Sequence, residues 1–238
     1  MSEHIINHSA LSYLNQWYVT DRHYMGISTS ADTTTTTAGS RLQDLGAEYG
    51  VARNFALPGM EKDGRKREAS ILWEEISSLV SDAASESAVK ANETVAVLAD
   101  KLGKVFPGKK SGSPPALLSA ATKFLWFSGR YDIRIYDKRA VHALNSWCEK
   151  NRDPSSTKKG WRIDGSYAAF SKEWHRMYQT HESAIRDAVA DLKNVGKWSL
   201  VPEATARTAM QTVLPQQWFL DRVFDKYLWT IGAKKKRV

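Results

Sequence analysis

Residues 117–147, LLSAATKFLWFSGRYDIRIYDKRAVHALNSW, constrain the fold more tightly than any other stretch of the chain. They read as helix, short break, helix. Phe124-Leu125-Trp126-Phe127 is the densest apolar run in the sequence, and Ser128-Gly129 directly after it predicts a stop, because glycine tolerates the positive φ of a helix C-terminus. Residues 131–136 alternate enough to predict a short extended piece. Asp137 then precedes Lys138-Arg139-Ala140-Val141-His142-Ala143-Leu144, a helical pattern. Its carboxylate is expected at the N-cap, accepting backbone N–H bonds at the positive end of the helix dipole.

The rest of the chain is patterned mostly for helices. Leu11, Leu14 and Tyr18 give helical spacing over residues 9–20, and residues 41–50 predict a short helix ending at glycine. Ile71, Leu72, Ile76, Leu79 and Val80 form a wide apolar stripe over 68–81, and Val95, Leu98 and Leu102 point inward from a helix over 88–102. Residues 166–180 and 182–193 read as two amphipathic helices, with Tyr167, Phe170, Trp174 and Tyr178 along one face as core. A short helix is expected over 202–213. A stronger one over 216–231 carries Phe219, Val223, Phe224, Tyr227 and Leu228 on one side. Strand-like pieces are few and short, so the predicted class is mainly α. FPGKKSGSPP at 106–115, with its glycines, prolines and Lys109-Lys110, is the best internal boundary. It divides a helical lobe over 1–105 from a second over 106–238, and the two need not be independent domains.

Charge gives the first functional clue. Lysine and arginine number 34 against 26 acidic residues, a surplus of +8. Such a surplus favours a polyanionic partner, because neutralising phosphates releases condensed counterions. Nine tryptophans and nine tyrosines supply flat faces for stacking on bases, although most must serve as core. No run of 18 apolar residues occurs, so no membrane partner is expected. The start of the chain lacks a secretory signal pattern, and one cysteine, Cys148, fits a reducing cytoplasm. A lone cysteine makes no thiolate zinc site, and His142 has no ligand partner at helical spacing, so neither metal nor cofactor is expected. Lys234-Lys235-Lys236-Arg237 is a basic terminus suited to phosphates or to an exposed end.

Lys123 and Asp137 lie fourteen residues apart across the break between two helices and can face one cleft. That pair suits cleavage of an N-glycosidic bond. Departure of a base develops oxocarbenium-like charge on the sugar, which a carboxylate stabilises while activating water or an amine. A lysine with a lowered pKa can instead attack C1′ and form a Schiff base. Structural roles account for the same residues: Asp137 as a plain N-cap, Lys123 as a surface residue snorkelling over Phe124 and Phe127, Cys148 as a small core residue.

The motifs resemble those of the helix-hairpin-helix DNA glycosylase superfamily. LLSAATK, residues 117–123, is similar to its hairpin of type L-P-G-V-G-x-K, with Lys123 at the lysine position. IYDKRAV, residues 135–141, is similar to the segment holding the catalytic carboxylate, with Asp137 at that position. Ser119 and Ala121 stand where the family has glycines, and Leu118 where it has proline. The nearest likeness is to the bacterial branch related to 8-oxoguanine glycosylases, with weaker support from the closing helix at 218–229; some members of that branch act in phage defence on hypermodified cytosine. The resemblance implies two helical lobes around a cleft and a monomer that flips a modified or damaged base out of DNA and excises it. It implies Asp137 and Lys123 as catalytic residues. Lys109, Lys110, Ser119, Arg134, Lys138 and Arg139 would contact DNA, and Trp126 or Tyr136 would stack on the base. Two further classes stay open beside it: a nucleic-acid-binding protein without chemistry, and a helical interaction module whose basic surface is incidental.

Overall fold

The computed structural model describes residues 2–27, 38–51, 69–85, 90–105, 117–151, 163, 165–194 and 199–233. Every regular element among them is helical, so the mainly α class is the one observed. No helix among them is long and apolar enough to cross a membrane. The chain divides into two compact units, one of Met1–His23 with Tyr136–Val238 and the other of Tyr24–Ile135. The expected division at 106–115 lies outside the described residues. The first helix packs onto helices from the end of the chain.

That helix, α1 (Ser2–Gln16), continues through a π-helical turn (Trp17–Asp21) and a short turn, α2 (Arg22–Tyr24). It begins earlier than the periodicity at 9–20 indicates and buries a different face. Ile6, Ala10, Tyr13, Leu14 and Trp17 are inside, spaced as one helical stripe, while Leu11 and Tyr18 are only half-buried. Its partners are α8 (Tyr167–Ala190) and α10 (Gln217–Ile231). The two helices expected over 166–193 form the single helix α8 followed by a 3-10 turn, Asp191–Asn194. Neither glycine nor proline interrupts the sequence there, and the Thr180 hydroxyl donates back to the Met177 carbonyl within the helix. Tyr167, Phe170, Trp174 and Tyr178 are all buried, as are Phe219, Val223, Phe224, Tyr227 and Leu228 of α10. The two stripes meet in aromatic pairs: Trp174 lies edge-on to Phe224 with ring centres 4.9 Å apart.

Polar groups fix the same unit. Trp174 Nε1 donates to Asp225 Oδ1 at 2.7 Å, and Arg222 donates to Asp225 Oδ2 at 3.0 Å. Asp21, wholly buried, lies 3.7 Å from Arg222 and accepts from Gln16 Nε2 at 3.2 Å. A buried carboxylate is tolerable only when charge and hydrogen bonds compensate it, and here they tie the end of α1 to α10. The remaining helices of the unit are α7 (Lys138–Lys150), packed on α10 and α8, and α9 (Glu203–Thr212), which Pro202 precedes.

In the second unit, α3 (Ala38–Glu48) packs on α4 (Ala69–Ser85), α4 on α5 (Ala91–Val105), and both α4 and α5 on α6 (Leu118–Phe127). Leu72, Trp73, Ile76 and Val80 of α4 and Val95, Leu98 and Leu102 of α5 form the core around α6. All of α6 except Ser119 is buried, as befits a helix that is apolar on every side. Its end is a Schellman motif. Arg130 N–H donates to the Leu125 carbonyl and Gly129 N–H to that of Trp126, both at 3.0 Å, with Gly129 at φ 99°. The Phe127 carbonyl accepts from Gly26 and Ile27 N–H at 2.8 and 3.2 Å, so no helix-end acceptor there is left over.

Candidate functional site

Residues 128–137 connect α6 to α7 without forming the expected extended piece. Among the described residues there is no strand for it to pair with, and local bonds turn the chain instead. Ile133 N–H donates to the Arg130 carbonyl at 3.1 Å. The Arg130 guanidinium, itself buried, grips Asp132 through two bonds of 2.9 Å. Those bonds hold the Asp132 carboxyl below its ordinary pKa, although partial burial opposes them. Arg134, a predicted DNA contact, is half-buried and donates from Nη1 to the Tyr131 carbonyl at 3.2 Å.

Lys123 is inside the protein, with 6% of its surface exposed, so it is not a residue snorkelling at the surface. Its Nζ donates to Ser119 Oγ at 2.7 Å, one helical turn earlier. Ser119 is not a cap: it lies within α6, whose N-cap position is Leu117 and carries no side-chain cap bond. The pair brings together two of the sequence-predicted site residues. Trp126, expected as a base-stacking residue, is 1% exposed and packs edge-on against Phe127 and Tyr131, with ring centres 4.8 and 5.2 Å away. It presents no face to a base; helical spacing puts it in the core along with its three apolar neighbours.

The other half of the motif belongs to the first unit. Asp137 has extended backbone angles, φ −134° and ψ 144°, and its Oδ1 accepts from Arg139 N–H at 2.8 Å. It is the N-cap of α7, as expected, and is half-buried. Tyr136 is half-buried with its ring centre 5.0 Å from that of Phe170. Lys138 and Arg139 are exposed on the first turn of α7. Lys109, Lys110 and the basic terminus at 234–237 lie outside the described residues.

Sequence reasoning missed one member of this group. Trp229, on α10, stacks under the Arg139 guanidinium, whose carbon is 3.9 Å from its ring centre, and 42% of its surface is exposed. Its place in an amphipathic helix gave it no separate signal. Elsewhere in the same unit, Arg186, Val189, Ala190, Lys193, Leu214, Pro215 and Leu220 line an open pocket of about 440 Å³. Cys148 is half-buried, 3.3 Å from Glu173 Oε2, and burial followed by that carboxylate pushes its thiol up to about 11. Such a thiol is not a nucleophile at neutral pH. Among the described residues no group of three His, Cys, Asp or Glu side chains is placed to hold a metal ion. Compared with protein-family models, curated proteins and solved structures, the chain finds no match.

Proposed function

We propose that the protein is a DNA glycosylase of the helix-hairpin-helix kind, with two helical lobes around a cleft, which flips a modified or damaged base out of DNA and cleaves its N-glycosidic bond. The observation that carries the reading is the burial of Lys123. An ammonium group inside an otherwise apolar helix is costly even when hydrogen-bonded, and such groups concentrate where chemistry needs them. The lysine is also the residue the glycosylase motif requires. Asp137 is the second support: a carboxylate fixed by a backbone bond keeps one orientation, as a group that stabilises a developing positive charge must.

In this reaction the C1′–N bond lengthens, positive charge builds on the deoxyribose, and Asp137 stabilises it. Water attacks C1′ as the C1′–N bond breaks, Asp137 takes the water's proton, and the departing base takes a proton from solvent. Lys123 either orients the nucleotide or, deprotonated, attacks C1′ in place of water and displaces the base; the C1′–O4′ bond then opens, O4′ taking the proton the nitrogen loses, to leave a Schiff base with the sugar. The exposed Lys138 and Arg139, together with the surplus of +8, supply the counter-charge for the backbone. A second reading, DNA binding without chemistry, draws on the Asp137–Arg139 bond, since an N-cap needs no further purpose.

The test is abasic-site formation on a panel of genomic DNAs, including phage DNA with modified cytosine. Wild type is expected to release free base from at least one of them. Lys123→Gln is expected to lose trapping by borohydride if the lysine is the nucleophile. Salt-sensitive DNA binding with no abasic site on any substrate would replace the proposal with the second reading.

A further inference from the structure

We propose that Arg139 and Trp229 form a stacking platform for an unpaired nucleobase beside Asp137. The proposal rests on the glycosylase reading and names the group that would hold DNA open next to the reacting carboxylate. Three observations lead to it.

The first is exposure. Trp229 is the one aromatic among the large apolar side chains exposed on the described residues, whereas Phe219, Phe224 and Tyr227 of the same helix are buried. Nothing in the helical pattern of α10 requires an indole on that face. The second is the guanidinium 3.9 Å over its ring. Arg139 is itself exposed, and both guanidinium planes and indoles accept bases in stacking. The third is connection to the carboxylate. Arg139 donates its backbone N–H to Asp137 at 2.8 Å while its side chain holds Trp229, so one residue fixes both. At the end of α10, Gly232 lies against the Arg139 carbonyl so closely that a Cβ could not fit, which keeps the indole and the start of α7 in register.

The neighbouring lysine is excluded as the main contact. Lys226 Nζ is 5.2 Å from the Trp229 ring centre, but it donates to Gln16 Oε1 at 3.0 Å. Burial, then the nearby Arg222, lowers its pKa, so it serves the internal polar cluster. The platform is therefore planar and only singly charged, a surface better matched to a base than to a run of phosphates.

The experiment measures equilibrium binding in an Asp137→Asn background, where no base is released. Two fluorescent duplexes are compared, one fully paired and one with a single unpaired nucleotide. Trp229→Leu and Arg139→Lys are each expected to weaken binding to the second roughly tenfold, while binding to the paired duplex changes less than about twofold. Arg139→Lys keeps the charge and removes the plane, so it carries the test even if Trp229→Leu fails to fold. Equal losses on both duplexes, or no loss on either, would overturn the platform. Base release by wild type is scored separately, so a failed platform is distinguishable from a failed glycosylase.

Discussion

Asp137 has one observed duty and one proposed, and a single substitution can separate them. Its carboxylate caps α7 through the Arg139 N–H. Asparagine can accept the same bond, whereas alanine cannot. Asp137→Ala is thus expected to lower stability by about 1 kcal/mol and Asp137→Asn by much less, read as unfolding midpoints in denaturant. Equal losses would mean that the carboxylate charge, not the cap bond, stabilises the helix. Cys148 gives an independent check on its surroundings. Its folded pKa, about 11, lies above the ordinary value of 9.0, so the folded chain keeps the proton at higher pH than the unfolded chain does. The stabilisation from the thiol form is complete below the ordinary value and declines as pH rises through the folded one. Iodoacetamide at about pH 8 should therefore alkylate the native protein far more slowly than the urea-unfolded chain. Matching rates would show that Cys148 is not held as described. The cap was legible in the sequence because an aspartate before a helical pattern carries a local signal. The burial of Lys123 was not, because a polar residue in an apolar run reads equally well as an outward-facing one.

At the scale of elements, the break between α6 and α7 depends on Gly129. With φ at 99° and open space around its Cα, the cost of a side chain there is backbone strain alone. Gly129→Ala is expected to destabilise by about 1–2 kcal/mol, measured by thermal or denaturant unfolding, through the Schellman motif that ends α6. A neutral result would show that the turn does not require the left-handed conformation. The stop at Ser128-Gly129 could be read directly, since glycine after an apolar helix is a local cue. The turn that follows could not: the alternation at 131–136 suggested an extended piece, but Arg130 gripping Asp132 decides the conformation, and a bond between side chains two residues apart leaves no periodic trace. The continuity of α8 through 180–182 leaves no positive mark in the sequence, since its two apolar stripes read as separate helices and only the lack of glycine or proline between them joins them.

At the scale of the molecule, the division into units was the least legible feature. α1 joins α8 and α10, elements more than 150 residues later in the sequence, and nothing local marks such a pairing. The glycosylase proposal rests on Lys123 and on Asp137. The most direct measurement is the rate of abasic-site formation by wild type and Asp137→Asn, side by side on one DNA that wild type cleaves, at a temperature where both are folded. A fall of roughly 100-fold or more in the variant, with DNA affinity retained, is the predicted result. Full activity in Asp137→Asn would contradict the account, leaving that carboxylate as nothing more than the cap of a helix.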